Sequence, residues 1–81
     1  MTHIRRIRLP LPIIDNNNAA AEIREAGMNG LSMNRLCFDT GIDQSRILQG
    51  MERGDFTLAE LTRIQTTIGS WMRENNIRQA C

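Results

Sequence analysis

The sequence predicts an all-α fold of about five helices, preceded by an extended N-terminal (β) arm. Apolar residues recur at three- and four-residue spacing from Ala19 onwards, and helix-capping residues stand before these stretches. The segment before them instead contains two prolines within an alternating pattern. Because 81 residues form one domain at most, we expect an arm over residues 1–15 and one helical domain over residues 16–81.

Composition excludes several classes of protein. A hydrophobic content of 41% is too high for a disordered tail, and no stretch approaches the ~20 apolar residues of a membrane helix. Cys37 and Cys81 form neither a disulfide framework nor a metal-ligand cluster, and His3 has no second ligand beside it. We therefore expect a cytoplasmic protein without cofactor or metal.

The segment from His3 to Ile14 alternates apolar residues with arginines, which indicates an extended chain. Pro10 and Pro12 each lack a backbone donor, so this segment is restricted to an edge strand. Asp15–Asn18 then supplies a turn and residues suited to capping the first helix.

Capping residues and glycines predict the first two helices. The first helix is expected over Ala19–Ala26 and ends near Gly27. Ser32 is placed to cap a second helix over Met33–Asp39.

The third helix is expected from Gln44 to about Glu52. The tight turn Thr40–Ile42 precedes it, Asp43 is its expected N-cap, and Gly54 ends it.

Two further helices are predicted in the remainder of the chain. Thr57 and Glu60 have the spacing of a capping box, and apolar residues follow at helical intervals to Ile68. Gly69 is expected to end this fourth helix, and Ser70 to cap a fifth over Trp71–Arg78.

The connection between the second and third helices has the residue types of a helix-turn-helix. Cys37 is small where the two helices approach, Gly41 permits a positive φ in the turn, and Ile47 is placed to fix the third helix to the core. Leu36 and Ile42 fill the other inward positions.

These features occur together in one known family. The shared fragments are Gly30-Leu31-Ser32, Leu36, Thr40-Gly41-Ile42, Gln44-Ser45, Ile47, Glu52-Arg53-Gly54 and the stretch from Phe56 to Ile64. In these residues, over about Ile23 to Gly69, the chain resembles the Cro and lambda-repressor-like (XRE) family of helix-turn-helix DNA-binding proteins.

The resemblance implies a lambda-repressor-like domain that places its third helix in the major groove of double-stranded DNA. Gln44 is then expected to read adenine, and Arg46 to take guanine or a phosphate. The residues that the resemblance places at the DNA are Ser32, Met33, Asn34, Asp43, Gln44, Ser45, Arg46, Gln49 and Arg53.

The chain departs from the family at three positions. Met33 stands where many relatives have Gln, so the phosphate contact of that side chain is in doubt. An apolar residue is usual at Gly50 and a polar one at Leu48, and here the two are reversed. We therefore expect the third helix to bend or end early near Gly50.

Two segments outside the motif have open roles. The arm either reaches into the minor groove through Arg5, Arg6 and Arg8, pairs with a second subunit through its apolar residues, or docks on another protein. The last helix either packs within the chain or forms a homodimer contact. The candidate dimer contacts are Ile7, Leu9, Leu11, Trp71 and Met72.

The function expected from the resemblance is transcription regulation, as a dimeric repressor that binds a pseudo-palindromic operator of its own operon. Phage repressors and Cro, restriction controllers and antitoxins share this scaffold, and in the last case a toxin is a further partner. A net charge of +1 favours the alternative, a protein-interaction module that keeps the fold without specific DNA binding. The acidic residues have capping or surface explanations, so we expect no catalysis.

Overall fold

The computed structural model describes residues 12–75, in which four α-helices and no strands are found. They are α1 (Ala19–Met28), α2 (Met33–Thr40), α3 (Gln44–Arg53) and α4 (Leu58–Glu74). The all-α prediction is therefore confirmed for this part of the chain. Residues 1–11 of the arm expected over residues 1–15 lie outside the described residues.

The helix starts follow the predicted capping residues. The Ser32 hydroxyl accepts a hydrogen bond from the Arg35 amide at the start of α2. Thr57 and Glu60 form a reciprocal capping box at the start of α4. Asp43 is the N-cap residue of α3, with extended backbone, but its side chain makes no capping hydrogen bond. Local sequence thus defines where these three helices begin.

Left-handed glycines end the two middle helices. Gly41 follows α2 at φ 73°, and Gly54 follows α3 at φ 68°. Only glycine adopts this conformation without steric cost, so both turns depend on it. The prediction that α3 ends early near Gly50 is wrong, because the helix continues to Arg53.

The prediction that Gly69 separates two helices is also wrong. α4 runs through Gly69 and Ser70 to Glu74, a length of 17 residues. Glycine costs about 1 kcal/mol in a helix interior. Trp71 and Met72 are both buried in the core, and burying two such side chains stabilises the helix by more than that.

A single core joins all four helices. α1 packs against α3 and α4, and α2 packs against the same two helices. The largest fully buried side chains of the core are Leu36, Ile47, Ile64 and Ile68. In the described part of the chain, no helix has the length and apolar character needed to cross a membrane.

The first described residues are fixed to this helical body. The Gln65 side chain of α4 accepts a hydrogen bond from the Ile14 amide at 2.6 Å and donates one to the Pro12 carbonyl at 3.3 Å. The Asn16 side chain likewise bonds both the amide and the carbonyl of Phe56. Ile14 is itself a core residue, so the end of the expected arm packs on α4 beside the loop between α3 and α4.

Candidate functional site

α3 has one buried and one exposed side. Ile47 and Gly50 are buried, whereas Gln44, Ser45 and Gln49 are exposed. At 3.6 residues per turn, these three polar residues lie along the side facing away from the core. α3 therefore presents neutral hydrogen-bonding groups to solvent over its first two turns, with Leu48, 48% exposed, among them.

The beginning of α2 has two exposed polar side chains and one apolar side chain that faces the core. Ser32 and Asn34 are exposed, but Met33 is half-buried and packs against the core. Met33 is thus accounted for by packing.

Arg46 is in the first turn of α3, but its side chain packs against the loop after α3 and against α4. Its guanidinium donates to the Glu60 carboxylate through Nε at 3.0 Å and Nη2 at 2.8 Å. Nη1 donates to the Asp55 carboxylate at 3.1 Å, and the guanidinium lies 5.6 Å from the centre of the Phe56 ring. Only 27% of the Arg46 side chain is exposed.

The contact with Arg46 stabilises the ionised form of the Glu60 carboxylate. The hydrogen bond from Arg46, followed by the bond from the Thr57 backbone, lowers the pKa of Glu60 from 4.5 to about 2. Hydrogen bonding and the charge of Arg46 lower the pKa, and together they outweigh burial, which raises it.

Arg53 and Arg63 are exposed, and neither forms an ion pair with another described residue. Arg53 occupies the last turn of α3. The Arg63 guanidinium lies beside Gly41, about 4.0 Å from the position of a Cβ there.

Positive charge is unevenly distributed along the chain. Residues 12–75 contain six arginines and nine acidic residues, a formal charge of −3. The remaining four arginines are Arg5, Arg6, Arg8 and Arg78. The helical body is therefore acidic, and the basic residues that offset it belong to the two ends of the chain.

The structure places the remaining candidates as follows. Trp71 is only 4% exposed and Met72 only 2%, so both pack within the chain and neither is accessible to a second subunit. The arm residues Arg5, Arg6, Arg8, Ile7, Leu9 and Leu11 lie outside the described residues.

Cys37 is half-buried beside the core, and burial raises the pKa of its thiol. Within residues 12–75, no group of His, Cys, Asp or Glu side chains has an arrangement that could hold a metal ion.

Comparison with protein-family models, curated proteins and solved structures gives no match for this chain.

Proposed function

We propose that this chain is a DNA-binding transcription regulator with a lambda-repressor-like fold, in which α3 enters the major groove. One observation carries the proposal. The exposed side of α3 presents Gln44, Ser45 and Gln49 in succession, while Ile47 holds the helix from behind. A helix with polar side chains on a rigid support is what direct reading of base edges requires.

Each group in this arrangement has a suitable role. The amides of Gln44 and Gln49 each match the N6 and N7 edge of adenine, and the Ser45 hydroxyl accepts or donates. Ser32 and Asn34 at the start of α2, with Arg53 at the end of α3, are suited to phosphate contacts that fix the docking.

An acidic body needs a separate source of cations to approach DNA. Arg5, Arg6 and Arg8 supply it, which favours the DNA-contacting role of the arm. Eleven extended residues span up to roughly 36–40 Å, because each residue adds about 3.3–3.6 Å. From its attachment at Gln65, the arm therefore has ample length to reach the DNA that lies against α3.

The arm also has a face for a second copy of the chain. In an extended chain, side chains alternate, so Ile7, Leu9 and Leu11 share one face with Arg5 at its end, while Arg6 and Arg8 share the other. The apolar face pairs two subunits, and the basic face contacts DNA. We propose a homodimer that occupies a pseudo-palindromic operator, with its two α3 helices about 34 Å apart, and thereby represses its own operon.

The test is selection of bound sites from a random duplex library, followed by anisotropy titration of the selected site at several salt concentrations. Gln44→Ala and Gln49→Ala should each weaken binding by about 1–3 kcal/mol and relax the preferred base at one position. Thr66→Ala on the exposed side of α4 is the matched control and should change neither the affinity for the site nor the preferred bases.

Replacing Arg5, Arg6 and Arg8 with alanine tests the arm. Each phosphate contact contributes about 0.9 to the slope of log K against log salt. Because the triple variant removes Arg6 and Arg8 from the basic faces of both arms of the dimer, it should lower that slope by up to about 3.6. An unchanged slope would exclude the arm from DNA. If the wild-type protein selects no site, the DNA-binding proposal fails.

A second function is favoured by two exposed apolar side chains. Phe38 on α2 is 85% exposed, and Leu48 stands within the outer face of α3. A protein-interaction module would use such residues for partner contacts. Leu48→Ser discriminates between the two functions, because it should leave a DNA reader active but weaken binding of a protein at α3.

A further inference from the structure

We infer that Arg46 is a positioning residue, which sets the orientation of α3 on the body and does not read a base. This inference rests on the proposed DNA-binding function. It reassigns a side chain that sequence resemblance places at the DNA.

All three nitrogens of the Arg46 guanidinium are engaged. Nε and Nη2 make a two-pronged contact with the Glu60 carboxylate, Nη1 reaches the Asp55 carboxylate, and Nη2 also donates to the Asp55 carbonyl at 2.9 Å. A planar guanidinium that meets a carboxylate through two parallel bonds has a defined direction as well as charge. Nη1 also donates to the Gln49 Oε1 atom at 3.4 Å, so Arg46 contacts one of the proposed base readers as well. The side chain is therefore committed to the loop, to the start of α4 and to Gln49.

Glu60 links Arg46 to the capping of α4. The Glu60 Oε1 atom accepts both from Arg46 Nη2 and from the Thr57 amide, the latter at 2.9 Å. The same carboxylate thus caps the start of α4 and binds Arg46 of α3. Since Glu60 is only 19% exposed, removing its partner would leave a poorly hydrated charge.

The loop between the helices completes this unit. The Arg46 guanidinium faces the Phe56 ring, and that ring packs against the backbone of Gly50 in α3. α3 is therefore held to the loop and to α4 at two points, one turn apart. To reach a base, Arg46 would have to break its bonds to Glu60 and Asp55 together.

The experiment compares Arg46→Ala, Glu60→Gln and their double variant, with Glu25→Gln on α1 as a control for loss of one negative charge. Each protein is checked for folding by Trp71 fluorescence, and its preferred DNA site is then selected below its unfolding temperature. Arg46→Ala should lower affinity by a factor of about ten, and Glu60→Gln by less, because Arg46 also bonds Asp55. The double variant should be little worse than Arg46→Ala alone, because the Glu60 substitution acts through the same contact. Apart from the position that Gln49 reads, the site selected by Arg46→Ala should have the same preferred bases as the wild-type site, although it is bound more weakly. Glu25→Gln should behave as wild type.

The inference is overturned if Arg46→Ala changes the preferred base at a position that Gln49→Ala does not affect, while Glu60→Gln leaves site and affinity unchanged. If the wild-type protein selects no DNA site, the proposed function fails, and the role of Arg46 is decided by amide NMR shifts. Matching displacements of the α3 amides in both variants would support positioning. Undisturbed α3 amides in Glu60→Gln would exclude it.

Discussion

The Phe56 ring lies against the backbone of Gly50, in the space that a Cβ at position 50 would occupy. Gly50 is on the buried side of α3, where a helix of this kind ordinarily supplies an apolar side chain. Here the loop after α3 supplies it, because Phe56 is itself a core residue. This contact explains why α3 continues beyond a glycine.

Gly50→Ala should therefore destabilise the protein even though alanine is the better helix former. Overpacking a filled core costs about 1–3 kcal/mol, and the propensity gain offsets about 1 kcal/mol of it, so we expect a net loss of up to about 2 kcal/mol. Urea unfolding followed by the buried Trp71 measures it. Gly27→Ala, with nothing within 4 Å of its added Cβ, is the control and should stabilise by up to about 1 kcal/mol. Stabilisation by both substitutions would contradict the contact.

Gly69→Ala should stabilise the protein, because α4 is continuous there. The added Cβ meets only the Arg73 guanidinium at an ordinary 3.7 Å. We expect a gain of about 0.5–1 kcal/mol in the free energy of unfolding, with helical circular dichroism unchanged or slightly increased. A loss of stability would indicate a helix end at Gly69, as the sequence pattern alone predicts.

Acid should weaken the protein partly through Glu60. Its pKa is lowered to about 2 in the folded chain, so the stabilisation is present above the unfolded value of 4.5 and is lost as the pH falls towards 2. Between pH 5 and pH 2.5 we expect wild type to lose about 2 kcal/mol more than Glu60→Gln, below the full linkage value because the pair is partly hydrated. Urea unfolding at each pH gives the comparison, and parallel curves would contradict the assignment.

Gln65→Met should release the first described residues from α4. Methionine keeps the length of the side chain but removes both the acceptor for the Ile14 amide and the donor to the Pro12 carbonyl. We expect a loss of about 1 kcal/mol, and hydrogen exchange at the Ile14 amide that is faster by about tenfold. Thr66→Ala, at the neighbouring exposed position, should leave that exchange rate unchanged. Equal exchange in the two variants would mean that Gln65 does not hold the segment.

What the sequence determined by itself is local. The caps at Ser32 and Thr57 and the glycine ends at Gly41 and Gly54 were all predictable, because each depends on hydrogen bonds and φ angles within about four residues. The outward positions of Gln44, Ser45 and Gln49 follow equally from helical period around one inward residue, Ile47. DNA binding itself remains a prediction.

What only the tertiary structure decided depends on residues distant in sequence. Gly69 lies inside a helix because Trp71 and Met72 enter the core, and Gly50 is tolerated because Phe56 covers it. Arg46 is turned away from the solvent face by Glu60, 14 residues later, although its helical position predicts exposure. In each case packing or a charge pair formed across the fold is worth more than the local preference, and no local pattern records it.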